Sequence, residues 1–135
     1  MPPHFSIERN KPMTIMGAIN HIDAVKPNSY TQDDKIRWLS ILDGTVKTEI
    51  IDTHEGSESV TFRPYGESTP LVTELLIPYP YDDVYIKWLE AQIDYASGEY
   101  DKYNNSITMY NAAYAAFEKH YHRTHKPITK KFTHF

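Results

Sequence analysis

A chain of 135 residues can build one hydrophobic core but not two. Its 40% hydrophobic and 24% charged residues are ordinary for a globular domain, no apolar run nears the roughly 18 residues of a membrane span, and no signal-peptide-like apolar region opens it. The absence of cysteine excludes a disulfide framework, a thiol nucleophile and a cysteine-based zinc site, and fits a reducing cytoplasm.

The net charge of −4 is unevenly spread. From Lys119 onward come Lys119, Arg123, Lys126, Lys130 and Lys131 with no acid, so the preceding body carries −9. An acidic body disfavours broad nucleic-acid contact. A short basic end suits solvent or an acidic partner.

Residues 1–12 hold three prolines without periodicity and read as an extended N-terminal arm. A single helical domain is expected over 13–122. Thr14 is a candidate N-cap, and Ile15, Ala18, Ile19, Ile22 and Val25 keep helical spacing until Pro27. Thr31 and Asp34 have capping-box spacing, with Asp33 and Asp34 where the helix dipole favours acids. Behind them Ile36, Leu39, Leu42, Val46 and Ile50 form one stripe, and Trp38, Ile41 and Thr45 a second. Gly44 inside this helix implies a close crossing or a kink, since glycine there costs about 1 kcal/mol relative to alanine. The helix should fade near Thr53.

Residues 56–79 have loop composition around Val60, Phe62 and Leu75–Ile77, which predicts one or two short β-strands and an exposed tip. Prolines 78 and 80 with Asp82-Asp83 open a third helix, whose buried face reads Tyr85, Trp88, Leu89, Ile93 and Ala96. Gly98 interrupts it. The fourth helix carries Tyr100, Tyr103, Ile107, Tyr110, Tyr114, Phe117 and Tyr121 on one stripe roughly 30 Å long. It should run to about His122, with Pro127 ending anything left. The expected fold is mainly α, four-helix bundle-like, with a long central loop and a basic tail over 123–135.

Five tyrosines on one seam each need a hydroxyl partner or a route to water. Such a face is dry along its centre and wet at its edges, which suits a groove or subunit contact; the plainer and commoner alternative is a bundle helix whose tyrosines point their hydroxyls outward past the rim. The candidate interface is therefore Tyr100, Tyr103, Tyr110, Tyr114 and Tyr121 with Arg123, Lys126, Lys130 and Lys131.

Chemistry is poorly supplied. His120, His122 and His125 tempt as a metal site, yet only His122 and His125 share a helical face and no carboxylate follows Lys119. A solvated helix end is the simpler reading. Asp52, His54 and Glu55 lack a nucleophile and read as a solvated helix terminus. Asp33-Asp34 and Asp82-Asp83 read as capping acids rather than catalytic pairs. No phosphate loop, dinucleotide fingerprint, nucleophile elbow or metalloprotease helix occurs. No enzyme activity, catalytic residue, metal or cofactor is expected.

Two stretches, Lys35–Glu55 (KIRWLSILDGTVKTEIIDTHE) and Leu75–Pro127, which includes LLIPYPYDDVYIKWLEAQIDYASGEYDKYNNSITMYNAAYAAFEKHYHRTHKP, resemble small structural proteins from the head-to-tail morphogenesis region of tailed phages and prophages of Gram-positive bacteria. The broader group is the head–tail connector (adaptor) family. That resemblance implies a helical bundle with a protruding loop, self-associating into a ring between the portal protein and the neck and tail proteins. It places the protein in the virion neck, and in the host cytoplasm before assembly, with DNA only as passing cargo and no membrane. The alternative is a small helical binding module or regulator whose basic tail, Arg123, Lys126, Lys130 and Lys131 with Phe132 and Phe135, contacts nucleic acid.

Overall fold

The first two helices of the chain each begin at a side-chain cap. The computed structural model describes residues 12–129. Residues 1–11 of the expected 1–12 arm and the tail residues Lys130, Lys131, Phe132 and Phe135 lie outside the described residues. Helix α1 spans Ile15–Val25, capped by the Thr14 hydroxyl accepting from the Gly17 N–H at 2.9 Å. Helix α2 spans Gln32–Glu49 behind a complete capping box: Thr31 accepts from the Asp34 N–H, and the Asp34 carboxylate accepts from the Thr31 N–H. Helices α3 (Asp83–Ala96) and α4 (Tyr100–Thr124) form a hairpin through Gly98, whose φ of 72° lies in the left-handed region that favours glycine.

Among the described residues the architecture is mainly helical with four helices, as expected. The one or two strands expected in the central loop do not form among the described residues. In their place are two single-residue bridges, Thr14 with Glu74 and His54 with Pro127. The segment 71–75 pairs with the start of α1, through Ile15 N–H to the Thr73 carbonyl, Met16 N–H to Leu71 and Leu75 N–H to Met13. The loop thus satisfies backbone groups that α1 leaves open at its N-terminus, which is why it needs no ladder of its own.

The core lies between α1, α2 and α3: Ile15, Ile19 and Ile22 meet Leu39, Leu42 and Val46 on one side and Val84, Tyr85 and Leu89 on the other. The predicted stripes hold with three exceptions. Val25 and Ala96, each at the end of its helix, are exposed, and so is Ile41. Trp38 of the second α2 stripe is buried, and its carbonyl accepts the Trp88 indole N–H at 2.7 Å. Gly44 marks a close approach, but by a side chain: the Phe62 ring lies 3.6 Å from where a Cβ would stand.

Two buried charges tie the helices together. Lys35 is buried and donates to the Asp23 carboxylate at 2.7 Å and to the Tyr30 carbonyl at 2.9 Å. Burial opposes ionisation of Asp23, but hydrogen bonds from Lys35 and Asn28 and the Lys35 charge together hold its carboxyl below the ordinary range. Lys26 sits 2.7 Å from Oδ1 of buried Asp94. Its ammonium pairs that oxygen by charge without the alignment of a hydrogen bond, and no other group donates to it.

Candidate functional site

The tyrosine helix is the outermost element. Among the described residues the only helix α4 packs along is α3, and of its 25 residues only Phe117 is buried. At its start, Tyr100 is 59% exposed and meets the exposed Tyr95 edge-on, and half-buried Tyr103 meets Tyr95 on another side. Midway, Tyr110 lies against Trp88 with ring centroids 4.9 Å apart, and Tyr114 follows it. The Tyr114 hydroxyl donates to the Glu49 carboxylate at 3.3 Å. Burial and the Glu49 charge push the Tyr110 hydroxyl up to about 12 and raise Tyr114 further. Beyond the first turn of α3, Phe117 and His120 meet Tyr81.

The seam is thus dry at Phe117, half-covered from Tyr103 to Tyr121 and open at Tyr100. Arg123 and Lys126 are exposed, while Lys130 and Lys131 lie outside the described residues. The start of the basic tail is not free: Glu55 N–H donates to the Lys126 carbonyl at 2.8 Å and Ile128 N–H to the Thr53 carbonyl at 3.0 Å.

Those bonds bring together two groups that sequence reasoning kept apart. His54 was expected at a solvated helix terminus. It is instead 6% exposed, because the 3-10 turn Ile51–Thr53 carries it under α4. Its ring meets Tyr121 edge-on, and its Nε2 lies 3.3 Å from Nδ1 of His122. On its other side Nδ1 sits 2.6 Å from the Ile50 carbonyl, which can only accept, so the proton resides on Nδ1. The two neighbours of His54 do match the expectation: Asp52 is exposed and pairs with Lys47, and Glu55 is exposed. Of the three helix-end histidines only His122 is exposed; His120 stacks on Tyr81 and His125 on Tyr121. Around the pair opens a cleft of about 370 Å³ lined also by Glu49, Thr53, Glu118 and Lys119.

A second cluster joins the central loop to the core. Asp43 is fully buried. Its Oδ2 accepts from the Tyr65 hydroxyl at 2.5 Å and the Leu76 N–H at 3.1 Å, and its Oδ1 accepts from the Tyr85 hydroxyl at 2.6 Å. Tyr85 in turn accepts from the Ile77 N–H at 2.7 Å. Burial raises the Asp43 carboxyl above the ordinary range even though all three donors oppose that rise. Burial and the charge of Asp43 also raise both tyrosines. This is a satisfied structural network rather than a reactive carboxylate, since every oxygen and hydroxyl is spoken for. Sequence reasoning missed it. A signal existed, for Ile36, Leu39, Asp43, Val46 and Ile50 repeat at steps of three and four, which puts an acid at a core position.

The acid pairs divide. Asp33 and Asp34 serve the capping box as expected. Asp82 occupies the N-cap of α3 without a side-chain capping bond, so capping does not account for it. Its carboxyl is raised by burial and by neighbouring Asp83. Among the described residues no group of three histidine, aspartate or glutamate side chains is gathered closely enough to hold a metal ion, and no helix is long and apolar enough to cross a membrane. Comparison with family models, curated proteins and solved structures finds no match.

Proposed function

We propose that this chain is a non-enzymatic virion structural protein, a head–tail connector (adaptor) whose subunits form a ring between portal and tail in a phage or prophage particle. The observation that carries the reading is α4: a 25-residue helix that buries only Phe117 fully and leaves the rest of its seam half-covered or open. A helix gains most of its stability from packing an apolar face, so a helix this open is suited to a second surface. The open part is aromatic where the α3–α4 hairpin turns, at Tyr95 and Tyr100, with Met109 exposed farther along. Tyrosine supplies large contact area at small entropic cost, the composition that subunit contacts favour. The resemblance over Lys35–Glu55 and Leu75–Pro127 gives that contact its partners, the portal and neighbouring copies. An acidic body of −9 suits a ring that lets DNA pass without holding it.

The test is sedimentation and negative-stain electron microscopy of the purified chain, alone and with portal rings from the same phage genome. Rings of fixed stoichiometry, or stoichiometric capture on the portal, are expected. Tyr100→Ser with Met109→Ser should abolish them while helical circular dichroism stays unchanged. A chain that remains monomeric and ignores the portal overturns the reading. A salt-sensitive shift with DNA under those conditions favours the regulator alternative.

A further inference from the structure

Three features group polar or aromatic side chains: the Asp43 network, the aromatic turn of the hairpin, and the histidine cleft at the far end of α4. The first is saturated with internal donors, and the second already belongs to the proposed contact. The third carries chemistry that neither the fold nor that contact uses.

We propose that His54 and His122 form a two-histidine clip for a divalent zinc-class metal ion, which staples the end of α4 to the turn after α2. The spacing is the first argument. Nitrogens bound to one tetrahedral metal at about 2.0–2.1 Å stand roughly 3.3–3.4 Å apart. Nε2 of His54 and Nδ1 of His122 are 3.3 Å apart. Without an ion the two rings share a hydrogen bond at this distance, whose proton a bound ion would displace.

The tautomer is the second argument. The Ile50 carbonyl, 2.6 Å from Nδ1 of His54, keeps that proton in place and leaves the Nε2 lone pair facing His122. A backbone carbonyl on the far ring nitrogen is the arrangement that orients metal-bound histidines. Burial of His54 and its edge contact with Tyr121 fix the ring before an ion arrives.

The third argument is the surroundings. The clip opens on the 370 Å³ cleft, into which Glu49 and Glu118 bring negative charge against the single cation Lys119. With no third side chain at ligating distance among the described residues, water completes the sphere and binding is readily reversible. Imidazole nitrogens with water suit zinc, copper or nickel rather than magnesium or calcium.

Residues 54 and 122 are far apart in sequence, so an ion held between them closes a long loop and acts on the α4 end and the Lys126–Ile128 segment paired beside it. The experiment is calorimetric titration of the chelator-treated full chain with zinc chloride, with histidine ring signals followed by NMR. Saturable binding at one ion per chain is expected, with the His54 and His122 rings shifting together. His122→Ala, at an exposed position that leaves the fold intact, should weaken binding at least tenfold, whereas His120→Ala should leave it unchanged. Cobalt in place of zinc should give the intense visible absorption of a tetrahedral site. No saturation, equal affinity in His122→Ala, or loss of binding in His120→Ala alone would each overturn the assignment.

Discussion

Replacing Asp43 by alanine is expected to cost about 4 kcal/mol of folding stability, a large share of the roughly 5–15 kcal/mol available to a domain of this size. The figure follows from the groups left behind. Three donors lose a charged acceptor: the Tyr85 hydroxyl, the Leu76 N–H and the Tyr65 hydroxyl. Each such loss is worth about 1.5–3 kcal/mol when the donor stays dry. Tyr65 is half-buried and can turn towards water, so it adds least. Removing the carboxylate also relieves its own burial, which is unfavourable enough to raise its proton affinity. The remainder is near two full losses. Tyr65→Phe, which takes away one donor and leaves the ring, should cost about 1 kcal/mol, and Tyr85→Phe about 2–3 because it also strands the Ile77 N–H. Urea unfolding followed by circular dichroism measures all three, with an unchanged m-value showing that only stability moved. The decisive quantity is the coupling energy between Asp43→Ala and Tyr65→Phe. If the two effects add, or Asp43→Ala costs under about 1 kcal/mol, the carboxylate does not hold the loop.

Three further outcomes are expected. Gly44→Ala should stabilise by roughly 0.5–1 kcal/mol in the same assay, since the new methyl meets Phe62 at an ordinary 3.6 Å and the helix loses a flexible residue. Thr31→Ala should cost about 1 kcal/mol through the lost capping box, with amide exchange faster in the first turn of α2 only. The third concerns pH. Because the folded chain holds the Asp43 proton more tightly than the unfolded chain, whose reference is 3.8, the stability of the wild type relative to Asp43→Asn should fall as pH rises above about 4. Unfolding both proteins across pH 3–8 reads this difference, and one that grows with pH contradicts the direction of the shift.

Local signals were legible because they act within a turn or two. Thr31 and Asp34 declare a capping box by spacing alone, Pro27 stops a helix by its fixed backbone, and Gly98 turns the chain through a positive φ that glycine adopts freely. The apolar stripes of α1, α2 and α3 follow from a period that any core-facing helix must keep. The strands of the loop were overcalled because Leu75–Ile77 has β composition, while pairing depends on what lies alongside: there it is only the start of α1. His54 and His122 were unreadable as a pair for the same reason. Periodicity compares neighbours, whereas these rings meet through the 3-10 turn and the full length of the α3–α4 hairpin. Asp43 stood between the two cases, with a legible core position and illegible partners, since Tyr65, Leu76 and Tyr85 arrive from the loop and α3.

The loop bears directly on how this chain would make the contacts proposed for it. A gate must move, and movement requires that opening cost little. Residues 60–66 lie on α2, with the Tyr65 N–H donating to the Ser40 hydroxyl at 3.0 Å and Phe62 over Gly44. Residues 71–77 are held by the start of α1 and by Asp43. Thr61, Arg63, Pro64, Gly66–Ser68, Pro70 and Glu74 are exposed, as is Val72 at 77%. Native-state hydrogen exchange should therefore show the amides of Tyr65, Leu75, Leu76 and Ile77 opening only with global unfolding, while Glu67 and Ser68 exchange within seconds. Under that pattern the loop travels with the body and any neighbour meets it as a fixed surface. Uniformly fast exchange across 60–77 would instead make the loop mobile and would leave the Asp43 network without the hold on the loop that its geometry implies.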